Sequence, residues 1–188
     1  MLSLNFDING ENKVVNVLLY DHVTLGKKEI LPKVLENEVA FVLVRADMII
    51  NLFHLKAAVC RALRNCSFKK MKTRSIESEI IYCLNPTTKI NEGFQFFGLN
   101  DNPRPIIVIK VNNKDRDQLS LKQMEKMLSP VFQSTPIQNE DIDIEIKKLT
   151  DYKVLRKVYN LASLSEIENE DPAILNSVIS TMAMKWHL

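Results

Sequence analysis

Glycine is scarce in this sequence, and its scarcity argues against the usual phosphate-binding loops. Only 4 glycines occur among 188 residues, and none belongs to a Gly-x-Gly-x-x-Gly or Gly-x-x-x-x-Gly-Lys-Ser/Thr pattern. Clustered backbone amides for a nucleotide are therefore not indicated. A Gly-x-Ser-x-Gly nucleophile elbow and a kinase catalytic loop are missing too. We predict that the protein is not an enzyme, with no catalytic residues, no cofactor and no small-molecule substrate.

Histidine and cysteine are also scarce, with 3 of each. No two histidines flank a glutamate at the four-residue spacing of a zincin helix, so we predict no metal site. The odd number of cysteines and the lack of a Cys-x-x-Cys pair argue against a disulfide framework. His54 lies near Asp47 in the sequence, and a catalytic pair is conceivable there. A histidine that is simply hydrogen-bonded or exposed is the favoured interpretation.

Long apolar runs are absent as well. The run at residues 39–44 ends at Arg45, far short of the ~20 residues that span a membrane. The N-terminus has neither the basic region nor the apolar core of a signal peptide. We therefore predict a reduced intracellular compartment and no membrane partner. The formal net charge is only +2, so any nucleic-acid role must come from local clustering of charge.

The composition and patterning predict one globular domain, residues 1–188, of the α/β (mixed α+β) class. The expected architecture is a mixed β-sheet flanked by helices. Strands are predicted at residues 14–20, 39–44, 106–111 and 141–146, the last with an acidic, solvated face. Helices are predicted at residues 24–36, 51–68, 75–84, 89–97, 120–128, 151–162 and 172–186. Prolines are expected to kink or divide the first helix and to stop the 120–128 helix. Residues 75–84 fit a strand as well, although a helix is favoured.

A cluster of basic residues is the feature with the clearest functional potential. Six cations fall within fourteen positions: Arg61, Arg64, Lys69, Lys70, Lys72 and Arg74. Such a cluster could bind several phosphates of a nucleic acid, with Phe68 as a stacking face. Alternatively, the turn is merely solvated, and its lysines complement the dipole of the preceding helix. Spacing alone favours the solvated turn.

The last predicted helix has an apolar surface wider than one stripe, which suggests a partner in addition to the core. One face carries Leu175, Val178, Ile179, Met182 and Trp186. We expect the inward side to be formed by Leu175, Ile179 and Met182. The residues then left for a partner are Ile174, Val178 and Met184. A helix buried entirely within its own domain remains an equal alternative.

The basic cluster and the residues after it resemble a known family. The resemblance is carried by Lys-Met-Lys-Thr-Arg at 70–74, Ser-Glu-Ile-Ile at 78–81, Leu-x-Pro at 84–86, Ile90 and Phe97-Gly98. These motifs resemble the PRPK-binding protein family, the small non-catalytic subunit of the KEOPS (EKC) complex. The match covers about residues 51–99, roughly a quarter of the chain. Two positions depart from the pattern, since relatives often have a small residue or glycine at Lys69 and usually serine at Asn85.

The resemblance implies a subunit of the complex that makes threonylcarbamoyl-adenosine beside the tRNA anticodon. Such a subunit binds and stimulates the kinase-like ATPase of the complex, and archaeal relatives also capture the single-stranded CCA end of tRNA. It implies a nuclear and cytoplasmic location, and the eukaryotic complex is linked to telomere maintenance and transcription. Two other classes stay open: a small α/β enzyme without a recognisable motif, and a protein-interaction module that binds no RNA.

Overall fold

The computed structural model describes residues 1–112, 118–138, 141–164 and 172–185. The strands are β1 (Leu2–Ile8), β2 (Glu11–Tyr20), β3 (Val42–Arg45) and β4 (Ile106–Asn112). The first four helices are α1 (Lys27–Leu35), α2 (Leu52–Ser67), α3 (Ile76–Leu84) and α4 (Ile90–Phe97). They are followed by α5 (Leu121–Phe132), α6 (Ile142–Leu149), α7 (Tyr152–Val158) and α8 (Pro172–Met184). Short 3₁₀ turns cover Ala46–Met48 and Ala162–Leu164.

The four strands form one sheet in the order β1-β2-β4-β3. Val17 of β2 pairs with Ile109 of β4, and Ile109 pairs in turn with Val42 of β3. All pairings between the described strands are antiparallel, where a mixed sheet was expected. The α/β (mixed α+β) class is confirmed. Strand β1 was not predicted, and it joins β2 through Asn9 and Gly10, which both have positive φ (55° and 81°).

Helices cover both faces of the sheet, which explains the continuous apolar runs in β2, β3 and β4. One face packs against α2, α3, α6, α7 and α8 in the larger core, where Val17, Leu19, Val42 and Val44 point. The other face packs against α1 and α5, and receives Leu18, Tyr20 and Leu43. Successive residues of β2 and β3 therefore enter different cores.

Residues 141–146 are the clearest error of the sequence prediction, because α6 replaces the expected strand. Ile142 and Ile146 are buried at 1% and 0% exposure, whereas Ile144 is 47% exposed. A strand would have pointed all three side chains to one face. Asp143 accepts a hydrogen bond from the backbone N–H of Leu52 at 2.6 Å, so α6 also satisfies a donor at the start of α2.

Helix ends differ from prediction mainly at prolines. Helix α5 continues through Pro130 to Phe132, although the helix was expected to stop before this proline. Pro32 lies inside α1 without dividing it, and α1 begins only after Gly26. Helix α7 ends at Val158 rather than at residue 162. Trp186, the last residue of the helix predicted at 172–186, lies outside the described residues.

Candidate functional site

The basic cluster begins where α2 ends, and a backbone motif sets the direction of the chain there. Phe68 is the C-cap, and Lys69 follows with φ of 54°. The N–H of Lys70 donates to the carbonyl of Asn65 at 2.8 Å, and the N–H of Lys69 donates to Cys66 at 3.1 Å. These two bonds are those of a Schellman motif, whose left-handed position usually holds glycine. Lys69 therefore occupies the place where a small residue is expected.

A buried carboxylate fixes the residues that follow. Glu79 of α3 is fully buried, and its Oε2 accepts from the backbone N–H of Lys72 at 2.9 Å and of Thr73 at 3.0 Å. The Thr73 hydroxyl donates to the same oxygen at 2.8 Å, and Asn65 Nδ2 donates to Oε1 at 2.7 Å. Ser75 then caps α3 by accepting from Ser78 N. The basic loop, residues 69–74, is thus bound to both α2 and α3.

The basic loop forms one wall of a polar cleft of about 780 Å³. Its cationic side chains come from α2, from the loop and from the end of α8: Arg61, Lys70, Lys72 and Lys185. The remaining polar and apolar walls include Asn65, Met71, Tyr82, Thr88 and Ile90. We call this the basic cleft. Its mixture of cations, one phenol and apolar edges suits a ligand that carries both phosphates and bases.

The structure brings together only part of the predicted cluster. Arg61, Lys70 and Lys72 line the basic cleft. The other three cations are also exposed but lie beside it: Arg64, Lys69 and Arg74. Within the described residues, no carboxylate forms a salt bridge with any of the five cations from Arg64 to Arg74. Phe68 is 50% exposed, as a stacking residue must be, but it does not line the cleft.

Lys185 is a cation of the cleft that the sequence did not reveal. It is only 3% exposed, and its ammonium donates to the carbonyl of Asn85 at 2.7 Å and to that of Tyr82. The same ammonium lies 4.1 Å from the centre of the Tyr82 ring, within cation–π range. Burial lowers the pKa of Lys185 to about 8. Lys185 therefore connects the end of α8 to the last turn of α3 through hydrogen bonds.

His54 does not form a catalytic pair. It is fully buried, and its Nδ1 accepts from the N–H of Ile50 at 3.3 Å, so that Nε2 carries the proton toward the Tyr159 oxygen at 3.1 Å. Burial lowers the pKa of His54 to about 3, which leaves the ring neutral at pH 7. Asp47 instead forms an ion pair with Arg45, with an N–O distance of 2.6 Å. Both side chains are structural.

The last helix faces the core differently from the sequence prediction. Ile174 and Val178 were expected to contact a partner, but both are fully buried, and that assignment is wrong. They share an inward row with Met182, which is 6% exposed and was correctly predicted to face inward. Met184 is 60% exposed, as expected of a partner contact. Leu175 and Ile179, which were also expected to face inward, are only half-buried at the core edge.

Neither metal nor membrane geometry is evident in the part of the chain that the structure describes. There, no three histidine, cysteine, aspartate or glutamate side chains are grouped so that they could hold a metal ion. Every helix within the described ranges is too short or too polar to cross a bilayer.

Comparison with known proteins identifies relatives along most of the chain. A family model described as "Kinase binding protein CGI-121" matches residues 20–186. The EKC/KEOPS complex subunit TPRKB of Danio rerio is 26% identical over 98% of this chain and 97% of its own length. The EKC/KEOPS complex subunit cgi121 of Neurospora crassa is 32% identical over 81% of this chain and 77% of its own. The corresponding subunit of Schizosaccharomyces pombe is 33% identical over 65% of this chain and 66% of its own.

Proposed function

This chain belongs to the CGI-121 family of kinase binding proteins, and we propose that it is a non-catalytic subunit of an EKC/KEOPS complex. The support is the match of the family model over residues 20–186 and the printed names of the relatives. In this role it docks on the kinase-like ATPase of the complex, stimulates it and contacts tRNA during threonylcarbamoyl-adenosine synthesis. We propose that this chain acts in the nucleus and the cytoplasm.

The basic cleft is the observation that carries the tRNA part of the proposal. Arg61, Lys70 and Lys72 line one cleft of about 780 Å³, and the loop that carries the two lysines is fixed by Glu79. We propose that these cations bind phosphates of the single-stranded 3′ CCA end of tRNA. Exposed cations beside the cleft extend the positive surface along the RNA: Arg64, Lys69 and Arg74. A fixed loop loses less entropy on binding than a flexible one, which favours an anion site over a solvated turn.

Salt dependence tests the RNA interaction. Each phosphate neutralised on a single strand lowers the logarithm of affinity by about 0.7 per tenfold increase in salt. The Lys70→Ala/Lys72→Ala variant should bind tRNA more weakly, with a slope flatter by roughly one to two units. The matched control is Lys122→Ala/Lys126→Ala, because these exposed lysines lie on α5, on the opposite face of the sheet.

The same titrations with tRNA lacking its CCA end test the choice of ligand. If the cleft variant binds as the wild type does, with the same slope, the chain is an interaction module whose lysines only solvate a turn. If the variant loses affinity but removal of CCA has no effect, the cleft binds another part of tRNA.

The kinase-like partner is proposed to dock on the exposed side of α8, around Met184. An aspartate at the centre of such an interface would be buried without a partner, so Met184→Asp should weaken association at least about tenfold. The control is Ile144→Asp on α6, since Ile144 is also exposed, at 47%. If circular dichroism shows that Met184→Asp is folded and it binds the partner as tightly as wild type does, α8 is not part of the interface.

The alternative of an unrecognised enzyme is tested directly. We propose that the isolated chain has no catalytic activity of its own. The observation to look for is steady ATP hydrolysis by purified protein free of kinase. If one point substitution in this chain abolished such activity, the non-catalytic assignment would be wrong.

A further inference from the structure

Lys185 lies where two surfaces of the proposed function meet. It directly follows α8, and it lines the basic cleft. Resting on that proposed function, we propose that Lys185 is a positioning residue that couples partner docking on α8 to RNA affinity in the cleft. Docking that immobilises α8 holds the ammonium and Tyr82 in the arrangement that favours the RNA. By linkage, bound RNA raises the affinity for the partner by the same factor.

The contacts of Lys185 make it a direct connection between α8 and the cleft wall. Its ammonium donates to the Asn85 carbonyl at 2.7 Å and to the Tyr82 carbonyl, at the C-terminal end of α3. A cation is well placed there, because the last carbonyls of a helix carry partial negative charge. Tyr82 lies 4.1 Å below that ammonium and itself lines the cleft. A shift of the end of α8 would therefore change the positions of two cleft residues, Lys185 and Tyr82.

A cavity beside α8 leaves one side of the helix without close packing. It has a volume of about 170 Å³ and lies between α8, α2 and α3, lined by Ala57, Arg61, Cys83, Ile179, Met182 and Ala183. Arg61 and Ala183 are exposed, so the cavity is open to the surface. Arg61 lines both this cavity and the basic cleft. Movement of α8 into the cavity would thus change the surroundings of a third cleft residue.

The buried row of α8 fixes the helix in the larger core and leaves the surface around Met184 exposed. Ile174 and Val178 are fully buried against the larger core, whereas Met184 is exposed and its neighbour Ala183 borders the cavity. The docking face proposed around Met184 therefore adjoins the open cavity. Met184 is joined to the buried Lys185 by a single peptide bond.

The test measures how partner binding changes RNA affinity. A labelled single-stranded RNA ending in CCA is titrated with the chain alone and with the chain saturated by its kinase-like partner. The ratio of the two dissociation constants is compared between wild type, Lys185→Met, Lys185→Arg and the distant control Lys122→Met. We expect wild type to bind RNA at least about fivefold more tightly with the partner, at the lower end of typical coupling between two sites. Lys185→Met should reduce this ratio at least threefold, Lys185→Arg should retain part of it, and Lys122→Met should retain all of it.

A purely structural role for Lys185 predicts a different result. It would lower RNA affinity equally with and without partner, leave the ratio unchanged and overturn the proposal. Any RNA contact made by the partner is common to all variants, so only differences between the ratios count. A ratio of one for wild type, with both ligands bound, overturns the coupling but leaves the proposed function standing. Failure of the wild type to bind either ligand removes both.

A second variant tests the coupling without touching Lys185. Ala57→Leu places extra side-chain volume in the cavity between α2 and α8. We expect it to hold α8 in place, so that RNA affinity without partner rises toward the partner-bound value and the ratio falls. An unchanged ratio in a folded Ala57→Leu variant would contradict the role of the cavity. This result remains informative if Lys185→Met does not fold.

Discussion

Removal of the Glu79 carboxylate should destabilise the protein through the basic loop. The carboxylate accepts from two backbone amides and one hydroxyl of Lys72 and Thr73, and from Asn65 Nδ2. Hydrogen bonds to a charged group contribute about 1.5–3 kcal/mol each, but groups that can reach water recover part of this. Lys72 is exposed and Thr73 half-buried, whereas Asn65 is buried. We therefore expect Glu79→Ala to lose about 3–5 kcal/mol of unfolding free energy, because only the Asn65 donor stays fully unsatisfied.

Glu79→Gln separates the shape of this side chain from its charge. A glutamine can turn its carbonyl oxygen toward Lys72 and Thr73, which leaves its amide group facing Asn65. Asn65 would then have to rotate its own amide and present Oδ1. The hydrogen bonds survive as neutral ones, about half as strong, so we expect a loss of only about 1–2 kcal/mol.

Urea unfolding of wild type, Glu79→Ala and Glu79→Gln measures both losses. Glu77→Ala is the control, because Glu77 lies on the same helix and is only half-buried. The alanine variant should also bind RNA less tightly, since Lys70 and Lys72 would no longer be held at the cleft. A loss below about 1 kcal/mol for Glu79→Ala, or equal losses for both variants, would refute the argument that this carboxylate organises the loop.

Three further results are expected. Lys69→Gly should raise the free energy of unfolding by up to about 1 kcal/mol, because glycine relieves the left-handed conformation at φ 54°; an unchanged or lower urea midpoint would contradict this. Burial lowers the pKa of His54 from 6.5 to about 3, so on acidification the unfolded chain binds a proton at His54 before the folded chain does. The contribution of neutral His54 to the free energy of unfolding is therefore complete above pH 6.5 and is lost as the pH falls toward 3. His54→Gln should therefore show a shallower fall in unfolding free energy between pH 6 and pH 4, by at most about 1.4 kcal/mol per unit, and equal slopes would refute this. Val178→Asp should unfold or severely destabilise the protein because Val178 is fully buried, whereas Met184→Asp should melt within a few degrees of wild type; similar melting temperatures would restore the sequence prediction for α8.

Local signals in the sequence predicted α2, α3 and α4 well. Each has an apolar stripe, and α2 and α3 begin at the capping residues Asn51 and Ser75. A local signal was also present for the hairpin that was missed. Asn9 and Gly10 form a two-residue turn with positive φ, the dipeptide that most strongly favours such a hairpin. The apolar residues that alternate before this turn are typical of a strand, and they form β1.

Residues 141–146 could not be assigned from periodicity. Positions i and i+4 share a face in both a helix and a strand, so Ile142 and Ile146 fit either one. Only Ile144 distinguishes them, and its 47% exposure depends on what packs nearby. The bond from Leu52 N to Asp143 joins residues that lie far apart in the sequence. Tertiary contacts therefore determine that residues 141–146 form a helix and not a strand.

The candidate site also contains residues that local sequence predicted and residues that only tertiary packing brings together. Arg61, Lys70 and Lys72 are close in sequence, and their clustering predicted their common surface. Lys185 joins them only because α8 packs beside α3, a contact that no local pattern encodes. The inward face of α8 was ambiguous for a related reason. Apolar residues occupy two adjacent rows of that helix, and only the neighbouring α2 and α3 select the row that contains Ile174 and Val178.

The interpretation of the basic loop depends on Glu79 more than on the number of its charges. A turn that is merely solvated has no need of a buried carboxylate, and burying one costs free energy unless it is fully hydrogen-bonded. Glu79 is fully buried and accepts from the backbone of Lys72 and Thr73. That arrangement fixes the path of the chain while the side chain of Lys72 remains exposed. Binding requires charge that is held in a fixed geometry, and solvation does not. The loop conformation therefore favours the anion site, although the spacing of the charges alone favoured a solvated turn.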